Sequence, residues 1–201
     1  MNELSFDSIG TFWLTSTTDT GPGATVIATF ANVGESVRHR TPDYAALQLG
    51  FYLASWGMYR GSGFLLWKDY RIHRYAVREL LKPKYDLLLR IDFDSSRETE
   101  TAIRPLLALV SALREAYVCH AASVNGRREE VNVTDTLVTK IVLAAFGCTP
   151  ANDWYFVEGL RSKGIAFSEF NKAPLRQTLR VTSRSRPRVQ ASTAPDSREW
   201  T

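Results

Sequence analysis

Cysteine and histidine are scarce in this 201-residue chain, and the shortage excludes several kinds of site. Two cysteines and three histidines are present. They are too few for a disulfide framework, and two cysteines agree with a reducing compartment. No ExxH or HxxE pattern occurs, and no Cys and His side chains are grouped at ligand spacing. We therefore expect no metal site.

Long apolar runs are also missing, which argues against a membrane protein. No stretch of 18 apolar residues occurs, and residues 1–10 contain acidic groups instead of a basic segment followed by an apolar one. We expect no signal peptide, no membrane partner and a cytoplasmic location. With 44% hydrophobic residues, the chain can still bury a substantial core.

Positive charge is concentrated at the C-terminal end. Residues 176–201 hold six arginines against Asp196 and Glu199, and this surplus of +4 equals the net charge of the whole chain. The segment is rich in Arg, Ser, Thr and Pro and poor in large apolar residues, so we expect a disordered basic tail over residues 180–201. Such a tail either holds nucleic-acid phosphates or simply keeps the protein in solution.

Helical spacing of apolar residues dominates the middle of the chain, which predicts a mainly α protein with one helical domain over residues 41–179. One helix begins at Pro42 and is interrupted near Gly57, and an amphipathic helix covers residues 68–81. A third runs from Arg97 to about Val118, with one buried face formed by Leu106, Leu109, Val110, Leu113 and Tyr117.

Residues 1–40 follow a different pattern. Apolar and polar residues alternate on both sides of a Gly-Pro-Gly turn at residues 21–23. We expect a short extended or strand arm that packs on the helical body, and we expect the protein to be a monomer.

The most informative segment is residues 134–161, where a helix ends at a glycine and a short loop leads to Asp153. Thr134 suits the N-cap of the first helix, and Gly147 suits the left-handed position that ends it. Pro150 keeps the helix from resuming, and a second helix begins near Asp153 and runs to Gly164. A carboxylate at this place either caps the second helix or performs catalysis.

Residues 140–153, KIVLAAFGCTPAND, followed by Trp154, resemble the segment of helix-hairpin-helix DNA glycosylases that ends in their catalytic aspartate. In that superfamily an alanine-rich helix leads into a loop with a proline two or three residues before the aspartate, and an apolar helix follows. The resemblance implies a helical DNA-glycosylase-like domain with Asp153 as the catalytic group. Residues 56–62 and 134–156 are also similar to bacterial antiphage glycosylases that remove modified cytosines, such as glucosylated hydroxymethylcytosine.

The chain departs from the superfamily at the hairpin. The glycine-rich turn that holds a DNA phosphate is replaced by residues 132–136, which contain no glycine, although the hydroxyls of Thr134 and Thr136 can take its place. The lysine of the strand-cutting members is absent there, since Lys140 lies further along the helix. The resemblance then implies a monofunctional enzyme that leaves an abasic site. Two cysteines exclude the four-thiolate iron–sulfur cluster of some members.

A second group of residues, WGMYRGSG at 56–63, suits an enzyme that flips a base out of a duplex. Tyr59 or Arg60 would be the wedge or a phosphate clamp, with Trp56 and either Trp67 or Tyr70 lining a pocket. The alternative is a core aromatic cluster with glycines for helix packing. His73, further along, is either a general base or a structural residue.

Together these features predict a monofunctional DNA glycosylase that binds double-stranded DNA with modified bases and needs no metal or organic cofactor. Asp153 would stabilise the sugar cation and orient a water molecule. The alternatives are a noncatalytic DNA- or RNA-binding module and an interaction subunit of a defence system. The residues expected to contact substrate or DNA are Trp56, Tyr59, Arg60, Ser62, Thr134, Thr136, Lys140, Asn152 and Trp154.

Overall fold

The computed structural model describes residues 42–61, 63–91, 96–121, 131–162 and 164–165. Over these ranges the chain is helical and contains no strand, which confirms the mainly α prediction. The expected N-terminal arm and basic tail, and Ser62, lie outside the described residues. The α-helices are α1 (Pro42–Ser55), α2 (His73–Leu80), α3 (Ser96–His120), α4 (Asp135–Phe146) and α5 (Trp154–Ser162), and 3-10 helices cover Phe64–Trp67, Tyr70–Ile72 and Pro83–Arg90.

Helix α4 lies at the centre of the fold. Every residue from Leu137 to Phe146 is buried, and the helix contacts both α1 and α3. The helical spacing of Leu137, Ile141, Val142 and Ala145 in the sequence predicts one buried face, but the helix is enclosed on all sides from Leu137 to Phe146. Its composition allows this, because Thr139 and Lys140 are the only polar residues in that stretch. A charged side chain at the centre of the core therefore needs a specific reason.

Helix α3 is the longest element, and it packs against α2 and α4. Its predicted apolar face is confirmed, because all five expected residues are buried: Leu106, Leu109, Val110, Leu113 and Tyr117. None of the described helices is long and apolar enough to cross a bilayer.

Helix α2 is shorter than its sequence pattern predicts. The prediction placed one helix over residues 68–81, but α2 begins only at His73. Asp69 accounts for the difference, because its side chain accepts a hydrogen bond from the backbone N–H of Arg71 at 2.8 Å and starts a separate 3-10 turn. Local side-chain bonding has here replaced the first turn of the expected helix.

The connection between α4 and α5 follows the capping signals. Thr134 Oγ1 accepts a hydrogen bond from Leu137 N at 3.2 Å, and Gly147 ends α4 with φ 62° and ψ 11°. Asp153 Oδ1 accepts from Phe156 N at 3.1 Å, so Asp153 caps α5. The predicted N-cap, the left-handed glycine and the position of the second helix start are all confirmed.

Gly147→Ala should destabilise the protein by about 1 kcal/mol, because a Cβ is disfavoured at positive φ. Apart from its neighbours in the chain, no atom of the described residues lies within 4 Å of a Cβ at this position, so steric clash adds nothing to the cost. Urea unfolding measures the change, and Gly147→Asn should lose less, since asparagine tolerates this conformation. An alanine variant as stable as the wild type would contradict the assignment.

Candidate active site

Two segments that are far apart in the sequence meet at Lys140. Its Nζ lies 4.6 Å from the centre of the Trp56 ring, in the loop that follows α1. The same Nζ lies 3.9 Å from Asp153 Oδ2, at the start of α5. The loop of residues 56–61, called the 56–61 loop below, therefore shares one site with the predicted catalytic aspartate.

Asp153 is held by a hydrogen bond at one carboxylate oxygen, faces a cation at the other, and is partly exposed. Oδ1 accepts from Phe156 N, and Oδ2 faces the Lys140 ammonium. The side chain is 22% exposed, so it is not sealed from solvent. Capping and catalysis, which the sequence presented as alternatives, are compatible at this position.

Two threonines of α4 hold the backbone next to Asp153. Asn152 N donates to Thr139 Oγ1 at 2.8 Å, and Thr136 Oγ1 donates to Asn152 O at 2.7 Å. Thr136 is thus used to anchor the loop, and the Thr134 hydroxyl is used to cap α4. Thr139 was missed by the sequence reasoning, although its spacing of three residues from Thr136 places both hydroxyls on one side of the helix.

Burial lowers the pKa of Lys140, and Asp153 opposes that shift, whereas the positive charge of Arg60 adds to it. The amine is almost wholly enclosed, since only 5% of the residue is exposed. Lys140 therefore faces the interior side of the site, towards Asp153, and its position does not suit a surface contact with a DNA phosphate. Arg60 therefore lies close enough to Lys140 for its positive charge to lower the pKa of the lysine.

Glycines shape the 56–61 loop. Gly57 has φ +67° and Gly61 has φ +66°, and the predicted helix interruption near Gly57 is confirmed. The guanidinium of Arg60 folds back over Gly57, where an added Cβ would lie 2.8 Å from Nε. Arg60 remains exposed, whereas Trp56 is partly buried and meets the Tyr52 ring edge to face at 6.1 Å.

Tyr59 points into the body of the protein. Its hydroxyl is hydrogen-bonded to Nε2 of His73, whose Nδ1 is 2.7 Å from the Tyr117 hydroxyl. Both ring nitrogens of His73 are hydrogen-bonded and the residue is wholly buried. Of the two roles considered for it, general base and structural residue, this position fits the structural one. Of Tyr59 and Arg60, the two candidates for a wedge or a phosphate clamp, Arg60 is the exposed one.

Two aromatic side chains stand out of the surface directly after Asp153. Trp154 is 70% exposed and Tyr155 is 69% exposed, and their rings meet edge to face at 5.2 Å. Tyr155 was not among the predicted contact residues, although an aromatic pair in the first turn after a candidate catalytic residue is a readable signal. Large aromatic groups this exposed are typical of binding surfaces.

The other expected residues are placed as follows. Asn152 is buried beside Asp153, and its side-chain Oδ1 has no hydrogen-bond partner among the residues that the structure describes. Ser62 lies outside the described part of the chain. Within that part, no three His, Cys, Asp or Glu side chains are gathered where they could hold a metal ion.

Comparison of the chain with protein-family models, with curated proteins and with solved structures gave no match. The function therefore has to be inferred from the site itself.

Proposed function

We propose that this protein is a monofunctional DNA glycosylase with Asp153 as its catalytic residue. The observation that supports the proposal most is the meeting of Asp153, Lys140 and the 56–61 loop at one partly open place. A helix cap alone needs neither a buried lysine nor an arginine and an indole beside it. A carboxylate held by a backbone hydrogen bond and still partly exposed suits the stabilisation of a cationic transition state.

In the proposed reaction the N-glycosidic bond of a flipped nucleotide breaks, and the base leaves with the bonding electrons. The ionised carboxylate of Asp153 stabilises the oxocarbenium-like sugar. A water molecule oriented by the same carboxylate adds to C1′, and Asp153 accepts its proton. The product is an abasic site on an intact strand, and this chemistry requires no metal or organic cofactor.

Binding of duplex DNA is assigned to the exposed groups around Asp153. Trp154 and Tyr155 offer ring faces on which bases can stack, a contact worth about 1–3 kcal/mol per base. Arg60 suits a phosphate contact, and the amide of Asn152 is the neutral polar group next to the carboxylate. The first substrate to test is phage DNA with modified cytosines such as glucosylated hydroxymethylcytosine.

The decisive assay incubates purified protein with phage DNA that carries modified cytosines and with plain DNA. Abasic sites are then counted, and released bases are identified by mass spectrometry. We expect release from modified DNA without strand cleavage. If no abasic sites form on modified, alkylated or oxidised DNA, the enzyme proposal is wrong.

The competing function is a noncatalytic nucleic-acid-binding module, and the exposure of Arg60, Trp154 and Tyr155 is the observation that favours it. In that case Arg60→Ala should weaken DNA binding, and substitution of Asp153 should change only stability, by about 1 kcal/mol.

Lys140→Met should slow base release by roughly tenfold to a hundredfold without lowering stability. The lowered pKa of Lys140 shows that burial of its charge opposes folding, so its removal relieves the fold. Release falls because Asp153 loses the cation that holds Oδ2. Single-turnover kinetics and thermal unfolding measure the two effects.

The matched control is Lys82→Met, which removes the same charge from an exposed lysine paired with Glu79. It should leave base release unchanged. A Lys140→Met protein with lower stability and normal release would show that the lysine serves the fold alone.

A further inference from the structure

Three hydrogen-bonded side chains connect the 56–61 loop to the interior. The Tyr59 hydroxyl contacts His73 Nε2, and His73 Nδ1 lies 2.7 Å from the Tyr117 hydroxyl. The rings meet edge to face, with centres 6.0 Å apart for Tyr59 and His73 and 5.8 Å apart for His73 and Tyr117. This row of contacts, the Tyr59–His73–Tyr117 chain, ties the loop to α2 and to α3.

His73 is neutral in this chain of contacts. Burial lowers its pKa to about 3, so the ring carries a single N–H at any physiological pH. One ring nitrogen must donate a hydrogen bond and the other must accept one. The hydrogen bonds therefore all point in one direction, either from Tyr59 to Tyr117 or from Tyr117 to Tyr59.

Burial of Tyr117 selects the direction. The residue is wholly buried, and among the described residues its hydroxyl has no hydrogen-bond partner other than His73. If His73 donated to Tyr117, the hydroxyl proton of Tyr117 would be left in the core without an acceptor, which is costly. Tyr117 must then donate to Nδ1, and Nε2–H must donate to Tyr59. Tyr59 is only partly buried, so its own proton can reach water or a ligand.

The lack of a side chain at Gly50 leaves room for the contact between Tyr59 and His73. A Cβ built on Gly50 would lie 3.4 Å from the Tyr59 hydroxyl oxygen and 3.5 Å from His73 Cδ2. Helix α1 therefore passes close to the junction of Tyr59 and His73.

We propose that Tyr59 is a positioning residue. The hydrogen bonds from Tyr117 to His73 and from His73 to Tyr59 hold it in place. The anchored 56–61 loop then keeps Trp56 and Arg60 beside Lys140 and Asp153. Trp56 and Arg60 lie three positions before and one position after Tyr59, and both act on Lys140. The effect on base release rests on the proposed function, whereas the direction of the hydrogen bonds and the anchoring of the loop do not.

Tyr59→Phe tests the positioning role, because it removes one hydroxyl and keeps the ring. We expect single-turnover base release to fall about tenfold or more, as loss of alignment does elsewhere. DNA affinity should change less than twofold, and ¹⁵N relaxation should show greater motion at residues 57–61.

Tyr85→Phe is the matched control. Tyr85 is more deeply buried than Tyr59 and donates its hydroxyl proton to Glu79 Oε1 at 3.1 Å, away from the loop. This control should lower stability without changing base release or loop relaxation. If both variants lose only stability and release bases at the wild-type rate, Tyr59 is not a positioning residue.

The direction of the hydrogen bonds is read from the ¹⁵N spectrum of the histidine rings, of which the chain has three. We expect His73 Nδ1 to resonate as an unprotonated nitrogen and Nε2 as a protonated one, unchanged between pH 8 and pH 5. A protonated Nδ1 would overturn the assigned direction. If the wild type releases no base, the proposed function is wrong, but the anchoring of the loop by Tyr59 is not affected by that result. The anchoring is overturned if Tyr59→Phe leaves the relaxation of the loop unchanged.

Discussion

Replacing Asp153 by asparagine should stop base release while the fold and the DNA affinity remain nearly unchanged. Asparagine caps helices as well as aspartate does, so the hydrogen bond from Phe156 N is kept. The amide carries no negative charge and cannot accept a proton from water. Loss of one preorganised electrostatic group typically lowers the rate by about 10²–10³-fold, and a catalytic Asp153 should show at least that loss.

Single-turnover release from modified DNA measures this effect, and unfolding in urea checks the fold. Glu158→Gln is the control, because Glu158 is an exposed carboxylate on the same helix and pairs only with Arg161 among the described contacts. Its release rate should stay within about twofold of the wild type. If Asp153→Asn releases bases at the wild-type rate, Asp153 is a helix cap and the enzyme proposal is wrong.

The protein should also lose stability as the pH falls below about 6.5, because His73 is buried as a neutral ring. Its pKa is about 3 in the fold and near 6.5 when the chain is unfolded, so the unfolded state takes up the proton first. The stabilising effect is therefore complete above pH 6.5 and is lost as the pH falls towards 3. The free energy of unfolding should drop by roughly 1 kcal/mol per pH unit.

Urea unfolding between pH 6.5 and pH 5 isolates this effect, since Glu79, whose pKa is held below its usual value by Lys82, Lys84 and Tyr85, stays ionised there. His73→Gln should flatten the pH dependence. His120→Gln is the control, because that ring is partly exposed and stacks on Tyr75 at 3.6 Å, and its slope should match the wild type. A wild-type slope near zero over this interval would contradict a neutral, buried His73.

Local signals explain what the sequence predicted correctly. Thr134, Gly147 and Asp153 act on backbone groups within four residues of themselves, so their roles can be read without knowing the fold. The buried face of α3 is equally local, since it follows from helical spacing. The late start of α2 was missed because the Asp69 side chain competed with the helix for a backbone N–H.

The arrangement of the site could not be predicted from the sequence. Lys140 is 84 positions from Trp56, and His73 is 44 positions from Tyr117, so their contacts depend on how α1, α2, α3 and α4 pack. Nothing in a helical pattern distinguishes a lysine that is enclosed from one that reaches the surface. The sequence predicted candidate site residues, and tertiary packing decided which of them meet.

Because α4 is enclosed on all sides, the part of the site that it carries is lost only when the hydrophobic core unfolds. Lys140 lies among buried residues of this helix, and two threonines of the same helix hold the backbone before Asp153. Partial opening of an outer helix cannot withdraw the lysine, since α4 leaves its surroundings only when the whole core comes apart. The amine of Lys140 therefore belongs to the part of the molecule that should open last, and heating should withdraw it from the site only as the core unfolds.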